Sequence, residues 1–321
     1  MASSLASHFT YDDVLVTGGS GFIGSHTVGK LLDRGCLVWV LDDLSSGTIH
    51  NLLQCKDDSR LHIENGSVAN YKKLESLARR VDAIIHLAGQ VSVDLSLRKP
   101  ELTNEINVGG TLNVLRAALK NQVQRVVYAS SSSIYDNSAS IPVIESAPLN
   151  PITPYGVSKL AAEKYSEVFH ATFGLETVSL RYFNVYGPRQ RGNAYGGVIA
   201  IFAERLSKNL PPMIYGEGEQ TRDFIYVTDV AEANLQALRT SRGIGEAFNI
   251  GTGRPTTIKD LYHLMAKIAG KEGIKPIFSK PRTGDSHYSC ANVSKANAVL
   301  GFKPMVSLRS GLQNLMKSIQ K

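Results

Sequence analysis

The chain has 321 residues, 43% apolar and 20% charged, enough to bury a large core and too ordinary in composition for global disorder or a collagen-like fibre. No apolar run reaches the roughly 18 residues that a membrane span needs. Its +7 net charge comes from scattered cations without aromatic interleaving, which argues against nucleic acid and leaves a solvated surface or small phosphate-bearing ligands.

Residues 1–10 have neither a basic segment nor an apolar one and read as a short tail. Six short runs then read as strands: Val14–Val16, Leu37–Leu41, Leu61–Ile63, Ala83–Leu87, Arg125–Ala129 and Thr177–Leu180. Helical patterns lie between them, over Phe22–Arg34, Asn107–Leu119 and Tyr155–Thr172. Continuous apolar runs suit strands covered on both faces, so the alternation predicts an α/β fold with a doubly wound parallel sheet of the Rossmann type. After about residue 181 the loops lengthen, and helices are expected to start from caps at Thr228/Asp229, Thr257 and Ser294. The predicted division is a tail (1–10), a dinucleotide-binding domain (11–180) and a smaller mixed α/β domain (181–321). Some segments of the last are expected to return to the first. Cys36, Cys55 and Cys290 have no metal-like spacing and read as reduced thiols, so no metal site and a cytoplasmic setting are expected.

Directly after the first strand stands Thr17-Gly-Gly-Ser-Gly-Phe-Ile-Gly24. Gly19-x-Gly21-x-x-Gly24 fits the dinucleotide fingerprint, while Gly18, Gly21 and Gly24 offer a three-residue spacing. Either set lets backbone approach a pyrophosphate and lets the next helix point its N-terminal N–H groups at it. The second strand ends at Asp42, where a carboxylate accepts from an adenosine ribose and repels a 2′-phosphate, favouring NAD over NADP.

Tyr155 and Lys159 stand four residues apart on one helical face, with Pro154 suited to the helix start. A tyrosine acts as a base near neutrality only if its pKa falls from about 10 towards 7, a shift of about 4 kcal/mol. A nearby lysine and a cationic nicotinamide would supply it. The pair is weak alone. It gains weight from the glycine loop and from the run Ser130–Ser133 at the end of a parallel strand, where open α/β sheets place ligands.

Together these residues resemble the extended short-chain dehydrogenase/reductases, specifically the NAD-dependent nucleotide-sugar epimerase/dehydratase group, and within it the UDP-glucose 4-epimerases. The similarity runs from Tyr11 to Pro304. It is carried in order by VLVTGGSGFIGSH (14–26), LDDLSSG (41–47), HLAGQ (86–90), NVGGTLNVLRAA (107–118), YASSSSIY (128–135), PYGVSK (154–159), RYFNVYGPRQ (181–190), QTRDFIYVTDV (220–230), FNIGTG (248–253) and RTGDSHYS (282–289).

The resemblance implies that Gly18, Gly21, Phe22, Ile23 and Gly24 hold the NAD pyrophosphate and Asp42 the adenosine ribose. Asp43, Ser46, Gly47, Ser67 and Val68 complete that end of the cofactor set. Leu87, Ala88, Gly89 and Gln90 line the cofactor, and Asn107 anchors the loop beneath the nicotinamide. Tyr155 is implied as the base, Lys159 as its tuner and ribose ligand, and Ser131 as the hydroxyl partner of the sugar oxygen. Phe183 borders the nicotinamide; Asn184, Arg222 and Arg282 meet the UDP diphosphate, and Asp285 the uridine ribose. The family's usual Gly-Asp after the third strand is here Gly66-Ser67, which implies looser adenine binding rather than loss of NAD.

Within this resemblance the serine run separates reactions. Dehydratases carry Asp-Glu where this chain has Ser132 and Ser133, and neither serine can remove a C5 proton, so epimerisation is expected. Ser289 lies where relatives restricted to plain hexoses carry tyrosine, which implies room for a 2-acetamido group. Arg191 reads as a solvated loop cation or as a partner for the carboxylate of UDP-glucuronate. A catalytically silent NAD-binding scaffold is the rival class, argued against by the presence of both Tyr155 and Lys159. Helices over about 100–119 and 155–172 are implied to form a four-helix bundle in a homodimer. The stripe Leu112, Leu115, Ala118 and Leu119 suits that bundle, and equally suits a helix packed on its own sheet.

Overall fold

The computed structural model describes residues 11–136, 140–190, 197–281 and 288–319. Its strands are β1 (Asp13–Thr17), β2 (Leu37–Asp42), β3 (Leu61–Asn65), β4 (Ala83–His86), β5 (Arg125–Ser131), β6 (Glu176–Tyr182), β7 (Asn184–Tyr186), β8 (Met213–Tyr215), β9 (Thr221–Tyr226), β10 (Ala247–Ile250), β11 (Pro255–Thr257) and β12 (Ile277–Ser279). The helices are α1 (Phe22–Asp33), α2 (Tyr71–Ala78), α3 (Val93–Arg98), α4 (Pro100–Asn104), α5 (Gly110–Lys120), α6 (Pro154–Phe173), α7 (Val198–Ser207), α8 (Val227–Arg239), α9 (Ile258–Ala269), α10 (Ser294–Leu300) and α11 (Leu308–Ile319).

The apolar runs form one seven-stranded sheet in the order β3-β2-β1-β4-β5-β6-β10, parallel throughout. Alternate residues of each strand feed opposite faces. Val14, Val16, Ile85 and Val127 meet Leu31 of α1 and Leu235 of α8, whereas Leu15, Ile84 and Val126 meet Leu74 of α2 and Val114 of α5. Burying each such side chain contributes about 1.5–3 kcal/mol. The strand order reverses between β1 and β4, which opens a crevice beyond their carboxyl ends.

After β6 the chain crosses away and back. β7, β9 and β11 make a three-stranded sheet and β8 pairs with β12, while α7, α9 and α11 enclose a core of Phe202, Leu206, Leu261, Met265 and Leu312. Between these segments, α8 packs on the large sheet and β10 joins its edge beside β6.

Three local expectations change. α8 starts at Val227 with Tyr226 at the cap position, because the Asp229 carboxylate is spent elsewhere: its Oδ2 accepts from Met305 N at 3.1 Å and Val306 N at 3.0 Å. Ser294 is the first residue of α10 rather than its cap, and Asn292 Oδ1 accepts its N–H at 3.0 Å. Thr257 does cap α9, accepting from Asp260 N at 2.9 Å. The helix expected to start at Asn107 instead follows on from α4 through one π-helical turn, Glu105–Gly109. In the proposed dimer stripe, Leu115 and Ala118 are fully buried in the chain's own core, and only Leu119 is exposed. Among the described residues, no helix is long and apolar enough to cross a membrane, and no three His, Cys, Asp or Glu side chains could hold a metal ion together.

Candidate active site

At the end of β1, Gly18 takes φ +71°, a backbone conformation that favours glycine. A Cβ there would lie 2.8 Å from Ala88 N, so the glycine loop and the 87–90 loop touch. Gly24, in the first turn of α1, sits so close to the Gly18 carbonyl oxygen that any side chain would overlap it. The working spacing is therefore Gly18, Gly21, Gly24, and Gly19 is pressed against Val40 beneath the loop. Gly21 caps α1 without a side-chain hydrogen bond, leaving the helix's first N–H groups and their partial positive charge to the crevice. Ser20 Oγ is buried there without a hydrogen-bond partner.

Asp42 ends β2 with both oxygens held by backbone: Oδ2 accepts from Ser20 N at 2.9 Å and Oδ1 from Leu44 N at 2.8 Å. Burial pushes its carboxyl up, and these N–H groups pull it back. Gly47 packs on Ser20 and Gly21, which brings the 42–47 loop against the cradle. Asp43 Oδ1 accepts from the N–H and hydroxyl of Ser45 beside Ser46. Ser67 Oγ accepts from Ala69 N at 3.2 Å, and the neighbouring Val68 is buried with its carbonyl accepting from Asn113 Nδ2. The glycine cradle, the uncapped helix terminus and the fixed carboxylate suit a pyrophosphate and a ribose, the parts common to dinucleotides.

Asn107 joins three segments. Its Oδ1 accepts from Gln90 N at 2.7 Å, and its Nδ2 donates to Gln90 O at 3.0 Å and to Ser158 Oγ at 2.9 Å. A Cβ on Gly89 would lie 3.1 Å from Asn107 Oδ1 and 3.6 Å from Lys159 Nζ, so the end of the Leu87-Ala88-Gly89-Gln90 loop faces the lysine.

The helix that carries Tyr155 and Lys159 starts as its sequence suggests, with Pro154 in the first turn and Thr153 Oγ1 accepting from Gly156 N at 3.1 Å. Gly156 packs directly on the Ser133 carbonyl, bringing the helix start onto the serine run. Ser131 hydrogen-bonds the Tyr155 phenol while its Oγ accepts from Ser133 N at 3.1 Å. Burial holds the Tyr155 phenol above its ordinary value, and the Ser131 bond opposes that rise. Lys159 is 5% exposed, and burial pushes it down to about 8. The protein alone thus leaves the phenol protonated at neutral pH, so a further positive charge is needed to make it a base.

Phe183 is buried in a cluster with Ile134, Tyr135, Val143 and Ala291, which draws the serine run and the 288–291 segment together. Asn184 Nδ2 donates to Asp223 O at 3.3 Å, and Arg222 Nη1 donates to Thr221 O at 2.7 Å. Ser289 is half-buried beside Cys290, whose carbonyl accepts from Val143 N. Arg191, Arg282 and Asp285 lie outside the described residues.

The sequence reading passed over several organising residues. Asp223 is fully buried and accepts from Thr252 N and Oγ1, Gly253 N and Ala291 N, tying β9 to two loops. Glu163, one turn beyond Lys159, pairs with Arg181 Nη2 at 2.6 Å and accepts from Ser130 Oγ at 2.5 Å. A charged residue inside an apolar strand, as Arg181 is, was the signal available for that pair.

Proteins of known family resemble the chain along most of its length. The sequence model of the NAD dependent epimerase/dehydratase family matches residues 14–251. A UDP-glucose 4-epimerase of Mycolicibacterium smegmatis is 37% identical over 300 residues, covering 93% of this chain and 95% of that protein. A crystal structure of the UDP-glucose 4-epimerase of Thermotoga maritima with UDP-glucose superposes with a TM-score of 0.90 at 38% identity, covering 96% of this chain and 98% of that one. The UDP-N-acetylglucosamine 4-epimerase of Methanobrevibacter ruminantium, in complex with UDP-N-acetylmuramic acid, gives 0.92 at 34% identity, covering 96% and 98%.

Proposed function

Because the chain belongs to the NAD-dependent epimerase/dehydratase family, we propose that it is a UDP-hexose 4-epimerase that interconverts UDP-glucose and UDP-galactose and accepts their 2-acetamido counterparts. The observation that carries this reading is the pair Ser132 and Ser133, which follow the Ser131–Tyr155 contact where an eliminating enzyme needs an acid and a carboxylate base. Hydroxyls with pKa values far above neutrality cannot remove the C5 proton, so the sugar keeps its water.

NAD, when bound, supplies the acceptor and donor of the C4 hydride. Gly18, Gly21, Phe22, Ile23 and Gly24 would hold its pyrophosphate and Asp42 its adenosine ribose, while Asn107 through Gln90 would fix the loop that lines its nicotinamide end. Tyr155 takes the proton of the C4 hydroxyl and later returns it, with Ser131 sharing the sugar oxygen. Lys159 stabilises the phenolate and orients the ribose. The keto sugar must turn over between the two halves of the reaction, so binding energy belongs on the UDP group, at Asn184, Arg222, Arg282 and Asp285, and not on the hexose.

Two finer assignments follow. A serine at position 289 leaves space for an acetamido group where a tyrosine would fill it. A second copy of the chain covers the apolar side chains that α3, α4 and α6 leave exposed: Leu97, Leu102, Val157 and Val168. Proton NMR of UDP-glucose, UDP-GlcNAc and UDP-glucuronate incubated separately with the protein tests the reading. Inversion at C4 of the first two is expected. An inert UDP-GlcNAc overturns the assignment of Ser289, and turnover of UDP-glucuronate alone overturns the hexose assignment in favour of Arg191 as a carboxylate partner.

A further inference from the structure

His86 ends β4, is 1% exposed, and carries no role in the chemistry above. It lies in register with Thr17 at the end of β1. Its Nδ1 is 2.7 Å from Thr17 Oγ1 and its Nε2 is 3.0 Å from Thr111 Oγ1 of α5. Thr17, Thr111, Asn107 and Ser158 are each no more than 3% exposed, so the linked groups are shielded from bulk solvent.

The proton inventory fixes its direction. Thr111 Oγ1 is 2.5 Å from the Asn107 carbonyl oxygen, which can only accept, so the Thr111 hydroxyl proton goes there. The Tyr128 phenol also bonds Thr111, whose single proton is committed, so both the phenol and His86 Nε2–H donate to its oxygen, which leaves Nδ1 unprotonated and accepting the Thr17 hydroxyl proton. Thr17 Oγ1 in turn accepts from Ala88 N at 3.3 Å. One end of the relay is thus the backbone of the 87–90 loop. The other is the π-helical turn of Asn107, whose amide grips both Gln90 and Ser158, and Ser158 Oγ donates to the Tyr155 carbonyl at 2.7 Å.

We propose that His86 is a positioning residue, held as the Nε2–H tautomer, that sets the 87–90 loop and the Asn107 turn against the catalytic helix. Protonation would aim donors at both hydroxyls and force the Thr17 proton to turn away from the ring. The surroundings resist it: burial and the Lys159 ammonium push His86 down to about 3, and the ring of Tyr128, which is itself bonded to Thr111, lies 5.8 Å away between centroids. The contribution to turnover rests on the epimerase reading; the tautomer does not.

Nitrogen NMR of histidine-labelled protein, with His86 assigned by its loss in a His86→Asn variant, tests the tautomer directly. A neutral Nε2–H ring, unchanged from about pH 5.5 to 8.5, is expected. An Nδ1–H ring, or titration within that range, overturns the proposal whether or not the protein epimerises anything. In turnover, His86→Asn and Thr111→Val should each lower kcat by about 10–100-fold with KM changed less than about threefold, and the double variant should be no worse than either. Additive losses, or a rise in KM without a fall in kcat, contradict a shared positioning role.

Discussion

Lys159 Nζ donates a 2.7 Å hydrogen bond to the carbonyl oxygen of Ala129, which fastens the helix of the candidate base to the end of β5 two residues before Ser131. The same nitrogen sits 5.1 Å from the centre of the Tyr128 ring. One cation thus orders the helix, the strand end and the serine run. Lys159→Met should reduce kcat by about 10²–10⁴-fold while UDP-sugar affinity stays within about threefold, because the anchors proposed for the UDP group are residues outside its helix. Isothermal titration beside steady-state kinetics separates the two. A parallel loss of affinity would mean that the lysine only holds the pocket open.

Ser67, proposed for the adenine end, provides a neutral acceptor already engaged by Ala69 N. A carboxylate accepts roughly twice as strongly. Ser67→Asp should therefore slow NAD release by about 5–10-fold with kcat nearly unchanged, measured by following cofactor loss during gel filtration or dilution. Equal release rates would remove Ser67 from the adenine site.

Acid should loosen the fold through two histidines. Burial pushes His86 down to about 3 and, despite its bond to the Pro188 carbonyl, His26 to about 4, against about 6.5 for an exposed imidazole. The unfolded chain binds more protons between those values, so stability is whole above about pH 6.5 and declines as pH falls towards 4. Each group gives a slope of about 1.4 kcal/mol per pH unit. Urea unfolding between about pH 7 and 5 should show this decline, and His26→Gln should flatten it by about one group's share. A variant slope equal to that of the parent would place the loss elsewhere.

Val157 and Val168 are about half exposed on α6, at 53% and 51%, with Leu97 at 59% on α3, which packs beside α6. Val168→Lys should convert a dimer to a monomer in sedimentation velocity without altering the far-UV spectrum. A parent chain that sediments as a monomer contradicts the dimer outright.

The large sheet was legible because Val14–Val16, Ala83–Ile85 and Val126–Ala129 are buried on both faces and therefore apolar without interruption. The glycine loop was legible for a related reason: overlap at Gly24 and a left-handed turn at Gly18 exclude other residues. What stayed hidden depends on contacts between residues far apart in the chain. Asp229 looked like a helix cap because its local pattern allows one, and its real partners, Met305 and Val306, lie more than seventy residues away. The π turn at Asn107 is set by Gln90 and Ser158, and the stripe at Leu115 and Ala118 read equally well for two partners. His86 looked like one more strand residue, since nothing local tells that two threonines from other elements close on its ring.

The central claim is oxidation and re-reduction at C4 without loss of the transferred hydrogen. UDP-galactose deuterated at C4, incubated with the NAD-loaded protein in ordinary water, tests it most directly by proton NMR and mass spectrometry of the product. The account predicts UDP-glucose that retains the deuterium at C4, with no net reduced cofactor. Deuterium lost to solvent, or a product lighter by one water, would contradict it.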